Sequence, residues 1–192
     1  MIGVLAVQGG LAAHISCLDR LGLPHREVRL PRDLEGLRAL ILPGGESTTM
    51  LKLMAAYDMF EPLKAFGNSG KPVLGTCAGA ILMCTSVRNI EQDSLGFIPV
   101  SIDRNAYGSQ RESFSLQVAC PAWDLHDVSA LFIRAPRFAE PGKDVVVLST
   151  TDGDITGVTY QHFTAVTYHP ELCDGTTFHE AWYQRYVAGV EE

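Results

Sequence analysis

The chain has 192 residues, 46% of them hydrophobic and 19% charged, with 22 acidic side chains against 15 Lys and Arg and a formal net charge of −7. That composition excludes a disordered chain, and the scattered cations form no basic stripe, which argues against nucleic acid as a partner. No apolar run reaches the ~18 residues of a membrane helix and no basic segment precedes the apolar start, so a cytoplasmic protein without a membrane partner is expected.

The length fits one domain over residues 1–192, large enough to bury about 70% of the surface its unfolded chain exposes. Its five cysteines, Cys17, Cys77, Cys84, Cys120 and Cys173, are odd in number and include no C-x-x-C pair. This argues against a disulfide framework and a zinc site, and neither metal nor cofactor is expected.

In chain order, residues 2–7 (IGVLAV) form an apolar, β-branched strand that ends at Gly9-Gly10. Leu11, Ile15, Leu18 and Leu21 follow at helical spacing. Residues 25–30 and 38–43 read as strands two and three, the latter ending at Gly44-Gly45. Ser47, Thr48 and Thr49 are candidate caps for the next helix. After helical residues 58–67, a fourth strand over 71–76 leads into a helix from Ala78. Strand–helix alternation implies parallel pairing with right-handed crossovers. The segments 114–120, 130–136, 145–150, 155–161 and 163–170 read instead as strands separated by turns, hence as antiparallel hairpins added to that core. Residues 176–189 close the chain as a helix. The expected fold is α/β, a three-layer sandwich around a mostly parallel sheet.

Ligands of open parallel sheets bind beyond the carboxyl ends of the strands, and three features fall there. Gly75-Thr76-Cys77-Ala78-Gly79 has the form of a nucleophile elbow, a sharp strand-to-helix turn. A helix N-terminus aimed at the sulfur favours a thiolate. The same five residues also suit a small buried cysteine in a glycine-rich turn. Pro43-Gly44-Gly45-Glu46-Ser47 suits either a turn with a helix cap or one half of an oxyanion hole, whose two N–H donors would be Gly45 and Ala78. His169-Pro170-Glu171, at the end of a strand, supplies a base and an acidic partner projecting to one side. A surface histidine beside a glutamate reads equally from those residues alone. Gln8, in the loop after the first strand, is a further candidate near the oxyanion hole. The other histidines, His14, His25, His126, His162 and His179, read as surface or packing residues.

Together LPGGEST, GTCAG and HPE resemble the class I, triad-type glutamine amidotransferases, whose fold is flavodoxin-like. AVQGG, DRNAYG, FIRAP and YHPEL narrow the resemblance to the glutaminase subunits of pyridoxal 5′-phosphate synthase, over the full length. The resemblance implies a triad of Cys77, His169 and Glu171, and glutamine binding by Gly45, Glu46, Ser47, Arg104, Ile133 and Arg134. Apart from it, Arg104 and Arg134 read equally as fold or surface residues. It also implies a partner, the synthase subunit, which uses the released ammonia; pyridoxal 5′-phosphate is then the product of the pathway and not a cofactor of this chain. One departure is visible: the family often has Arg-Gln after the RN-x-[YF]-G motif, and here Ser109-Gln110 follows. A small peptidase or stress-response hydrolase with a cysteine elbow, or a non-catalytic regulatory subunit, are the competing readings. Neither explains an intact Cys, His and Glu together with groups suited to a free amino acid.

Overall fold

The computed structural model describes residues 1–106 and 113–189. Its elements in chain order are β1 (Ile2–Leu5), α1 (Leu11–Arg20), β2 (His25–Val28), β3 (Ala39–Leu42), α2 (Ser47–Ala56), α3 (Phe60–Asn68), β4 (Val73–Thr76) and α4 (Ala78–Met83). They continue with β5 (Cys84–Val87), β6 (Ile98–Asp103), β7 (Ser113–Cys120), β8 (Leu125–Ile133), β9 (Arg137–Phe138), β10 (Val146–Thr151), β11 (Asp154–Tyr160), β12 (Phe163–Val166) and α5 (Thr177–Trp182).

The centre is built from four-residue strands buried on both faces: β1, β3, β4 and β12 are buried at every position. Continuous apolar runs suit this, because a parallel sheet covered on both sides leaves no wet face. Alternate residues then feed two separate cores. Leu5, Leu40, Leu42, Val73 and Ala165 face α2, α3 and α4 through Met50, Met54, Leu63 and Leu82. Ile2, Val4, Ile41, Leu74 and Val166 face α1 and α5 through Leu18, Phe178 and Trp182. Each fully buried Leu or Ile contributes about 1.5–3 kcal/mol by leaving water. The result is three layers, as the strand–helix alternation predicts.

The sheet runs β2-β1-β3-β4-β12-β11-β9-β6-β5, with β10 on β11, and β7 and β8 form a separate two-stranded ribbon. β2, β1, β3, β4 and β12 are mutually parallel, whereas β11 pairs antiparallel with β12, β10 and β9. Several details differ from the sequence reading. β12, grouped there with the added hairpins, also joins the parallel core, with Phe163 to Val166 opposite Val73 to Thr76 of β4. Helix α2 is capped by Glu46, whose carboxylate accepts from the Thr48 and Thr49 amides, and not by the hydroxyl residues after it. A carboxylate at this end also meets the positive pole of the helix. Ser109 and Gln110 lie outside the described residues.

Candidate active site

The turn after β4 holds Cys77 at φ 48, ψ −103, a backbone conformation that side chains other than glycine rarely adopt. It is fixed from both sides: the Cys77 amide donates to the Val166 carbonyl at 2.9 Å, and its carbonyl accepts from the Ile81 amide at 3.1 Å. The flanking glycines are required by close approach. A Cβ on Gly79 would stand 1.9 Å from the Leu42 carbonyl oxygen, and one on Gly75 would stand 2.6 Å from Met83 Sδ. Helix α4 therefore starts directly under the sulfur, although it lasts only six residues before β5 begins. Cys77 is 7% exposed. Burial pushes the thiols of Cys17, Cys84, Cys120 and Cys173 up, so none of these four is a ready thiolate.

His169 follows β12, the strand beside β4, and its amide donates to the Leu131 carbonyl at 2.8 Å. Its Nδ1 lies 2.8 Å from Glu171 Oε1. Burial alone pulls the His169 imidazole down, but hydrogen bonding to Cys77 and Glu171 and the Glu171 charge outweigh it, and its pKa rises to about 10. Burial likewise pushes the Glu171 carboxyl up, and the facing His14 and His169 rings reverse that, leaving it well below the usual carboxylate range. The balance is reasonable: burying a carboxylate costs several kcal/mol, and hydrogen bonds to a charged group return about 1.5–3 kcal/mol each. Gly44 packs against the histidine ring, where a Cβ would come within 2.2 Å of His169 Cε1.

One cavity reaches this cluster, lined by Gly45, Glu46, Ser47, Cys77, Ile81, Arg104, Asn105, Ile133 and Arg134. All six residues expected to bind the substrate are thus brought to the nucleophile candidate. Ala78 is the first residue of α4, so its N–H is one of the helix's free donors. Gln8 abuts the same loop: its Oε1 accepts from the Glu46 amide at 2.9 Å. Glu46 also pairs with Arg104 at 2.8 Å and accepts from the Thr49 hydroxyl at 2.7 Å, and its pKa falls to about 2. Asn105 and Arg134, like Cys77, have positive φ, 49 and 42 respectively, so three strained residues share this cavity.

Sequence reasoning did not reach Asn105, nor Gln92, which accepts from Ser47 Oγ at 3.1 Å and Arg104 at 3.3 Å. It also set aside His14 and His179, which are 0% and 1% exposed. A signal existed for His14, since position 14 shares the helical face of Leu11, Ile15 and Leu18. Among the described residues no group of three or more His, Cys, Asp or Glu side chains is arranged to hold a metal ion. No described helix is long and apolar enough to cross a membrane.

A parallel sheet with a strained cysteine turn after β4 and a His–Glu pair just beyond the neighbouring β12 has the form of a cysteine-elbow enzyme, and known proteins narrow the class to the glutamine amidotransferases. A solved glutamine amidotransferase superposes with a TM-score of 0.91 at 38% identity, covering 98% of this chain and 99% of that one. The profile of the SNO glutamine amidotransferase family matches residues 4–188. The chain belongs to that family. Its relatives include the pyridoxal 5′-phosphate synthase subunit PdxT of Thermotoga maritima, 45% identical over 93% of this chain and 95% of the relative. The PdxT of Shouchella clausii is 45% identical over 94% and 92% respectively. PurLQS of Thermotoga maritima shares the fold alone, at a TM-score of 0.67 and 16% identity over 95% of this chain and 97% of that one.

Proposed function

We propose that this protein, acting as one glutaminase domain over residues 1–192, hydrolyses L-glutamine to L-glutamate and ammonia. The ammonia goes to a synthase subunit that makes pyridoxal 5′-phosphate, in a cytoplasmic complex that involves neither nucleic acid nor membrane. The observation that carries the reading is the shared cavity: Cys77 opens into the same space as Arg104, Arg134 and Glu46, while His169 and Glu171 stand behind it.

In the first half-reaction the Cys77 thiolate attacks the δ-carbonyl carbon of glutamine. The Gly45 and Ala78 N–H groups take up the charge on its oxygen. His169 gives its proton to the amide nitrogen, the C–N bond breaks, and ammonia leaves a glutamyl thioester. In the second half His169 takes a proton from water, hydroxide adds to the thioester carbon, and glutamate departs from the restored thiolate. Glu171 holds the His169 Nδ1–H throughout. Arg104 and Arg134 suit the α-carboxylate of a free amino acid and Glu46 its α-ammonium, while Ser47 and Ile133 complete the wall. The likeness to PdxT subunits supports the acceptor reaction.

The test is glutamate release from glutamine with and without the synthase subunit, with Cys77→Ala as control. Release that rises with the synthase and disappears in the variant is the expected result. Release that survives Cys77→Ala sinks the triad assignment, and release indifferent to the synthase sinks the assigned acceptor.

A further inference from the structure

Glu171 gathers all its side-chain partners on one oxygen. Oε1 lies 2.8 Å from His169 Nδ1, 3.1 Å from Thr76 Oγ1 and 3.3 Å from His14 Nε2. Oε2 is buried and has no hydrogen-bond partner among the described residues. Compensation of this buried charge therefore passes through Oε1, and His14 supplies one of its three polar neighbours. His14 comes from α1 and is not among the residues that line the cavity.

The proton on His14 Nε2 follows from the geometry. An unprotonated Nε2 would set its lone pair against a carboxylate oxygen 3.3 Å away, whereas Nε2–H turns its positive end toward that oxygen and toward Thr76 Oγ1 beside it. Thr76 Oγ1 stands 3.1 Å from Nε2 as well, so the hydroxyl can accept from His14 and donate to Glu171. The other His14 nitrogen, Nδ1, lies 3.0 Å from His179 Nε2 on α5. Both rings are fully buried, and both His14 nitrogens and His179 Nε2 face polar partners, which simple space-filling does not require, while His179 Nδ1 has no hydrogen-bond partner among the described residues.

We infer that His14 is a positioning residue of the glutaminase site, holding Glu171 ionised and its Oε1 fixed on His169 Nδ1, with His179 bracing His14 from behind. The inference rests on the reading of Cys77, His169 and Glu171 as the triad. It adds a function to α1, which otherwise only packs on the sheet. His179 serves as an uncharged brace: burial first, and then the facing His14, hold its pKa at about 3. The remaining ionisable groups around Glu171 are engaged or shielded. Arg20 of α1 donates to Cys17 Sγ at 3.1 Å and to the Asp174 carbonyl at 2.6 Å, and Cys173, two residues on from Glu171, bonds the His169 carbonyl at 3.6 Å.

Three variants separate a positioning role from a structural one. A glutamine amide nitrogen reaches the place of His Nε2, an asparagine amide only that of Nδ1. His14→Gln therefore keeps the donor to Glu171, His14→Asn keeps only the partner of His179, and His14→Leu keeps neither. Glutamate release is measured in the complex with the synthase subunit across the acid and alkaline range. His14→Asn and His14→Leu are expected to lower kcat about tenfold or more at an unchanged KM for glutamine. In both, the acid limb of kcat/KM moves up by about 1 unit, because a less compensated Glu171 protonates sooner. His14→Gln retains the wild-type limb. Asn and Gln variants that behave alike, a loss carried in KM, or an unmoved acid limb overturns the inference. If His14→Leu does not fold, the Asn and Gln pair decides. A wild-type complex that releases no glutamate overturns the triad reading itself, which no behaviour of the variants can mimic.

Discussion

The Cys77 amide donates to the Val166 carbonyl across 2.9 Å, tying the turn after β4 to the end of β12. Thr76 and Val166 face each other as the last residues of these parallel strands. The chain after β12 then runs on to His169, whose amide is held by Leu131 of β8 at 2.8 Å. β8 in turn delivers Ile133 and Arg134 to the cavity. A short series of backbone bonds thus sets both the Cys–His spacing and one wall of the pocket.

Two glycine substitutions separate stability from chemistry. In Gly79→Ala the new Cβ meets the Leu42 carbonyl oxygen at 1.9 Å, backbone against backbone, so one strand must shift. Overpacking of this kind costs about 1–3 kcal/mol or more. In Gly44→Ala the Cβ meets the His169 ring at 2.2 Å, and the ring can move. Its displacement misplaces the base, and a misplacement near 1 Å costs about 100-fold in rate. Urea unfolding beside glutamate release is expected to show Gly79→Ala failing mainly in stability and Gly44→Ala mainly in kcat. The opposite pattern would refute this account of the two turns.

His169 is expected to stay protonated well above neutrality, because its pKa is raised from 6.5 to about 10. For a raised histidine the stabilising contribution is fully present below 6.5 and is lost as pH rises through about 10. Nitrogen NMR of the His169 ring reports this directly. In Glu171→Gln the charge is gone while burial remains, and a neutral amide oxygen accepts from Nδ1–H more weakly, so the ring should titrate lower. A Glu171→Gln protein whose His169 still titrates near the wild-type value would show that the carboxylate does not hold the proton.

Glu46 is expected to matter for stability as well as for the cavity. It caps α2 through the Thr48 and Thr49 amides, and losing such a cap in Glu46→Ala costs about 0.5–2 kcal/mol. The side chain is 42% exposed, so solvent screens its pairing with Arg104 and the cap accounts for most of the loss. Its pKa is lowered from 4.5 to about 2, chiefly by the Thr48 hydroxyl, with the Thr49 hydroxyl and both amides adding to it against burial. The contribution is therefore present above 4.5 and lost as pH falls through about 2. Urea unfolding of wild type and Glu46→Ala over that window should show the gap closing. A gap that is constant with pH would mean that the carboxylate's charge plays no part.

Much of this was legible in the sequence because it is local. The strand–turn–helix at Cys77, the glycine pair at Gly44-Gly45 and the His169-Pro170-Glu171 segment each carry their geometry within a few residues. Strand partners are not local: nothing in residues 163–166 says that they pair with β4 on one side and β11 on the other. β6 lies outside the expected strands: Gly96 stands just before it and Pro99 within it, although Ile98, Val100 and Ile102 alternate inward. His14 and His179 come from opposite ends of the chain and meet only in the folded protein. Arg104 and Arg134 reached the cavity through family resemblance and not through their own neighbours in sequence.

Arg134 combines recognition with strain, and glycine can take the two apart. It lines the cavity at φ 42, where a side chain costs about 1–2 kcal/mol relative to the right-handed region. Glycine escapes that cost but loses about 0.5–1 kcal/mol more in chain entropy on folding. Arg134→Gly should therefore be more stable than Arg134→Ala by about 0.5–1 kcal/mol. Both variants lack the guanidinium, so both should bind glutamine weakly, with KM raised and kcat less affected. Thermal unfolding ranks the pair and steady-state glutamate release measures the binding loss. An alanine variant more stable than the glycine one would mean that the left-handed backbone is not strained. An unchanged KM in both would remove Arg134 from substrate binding and leave Arg104 as the cation for the α-carboxylate.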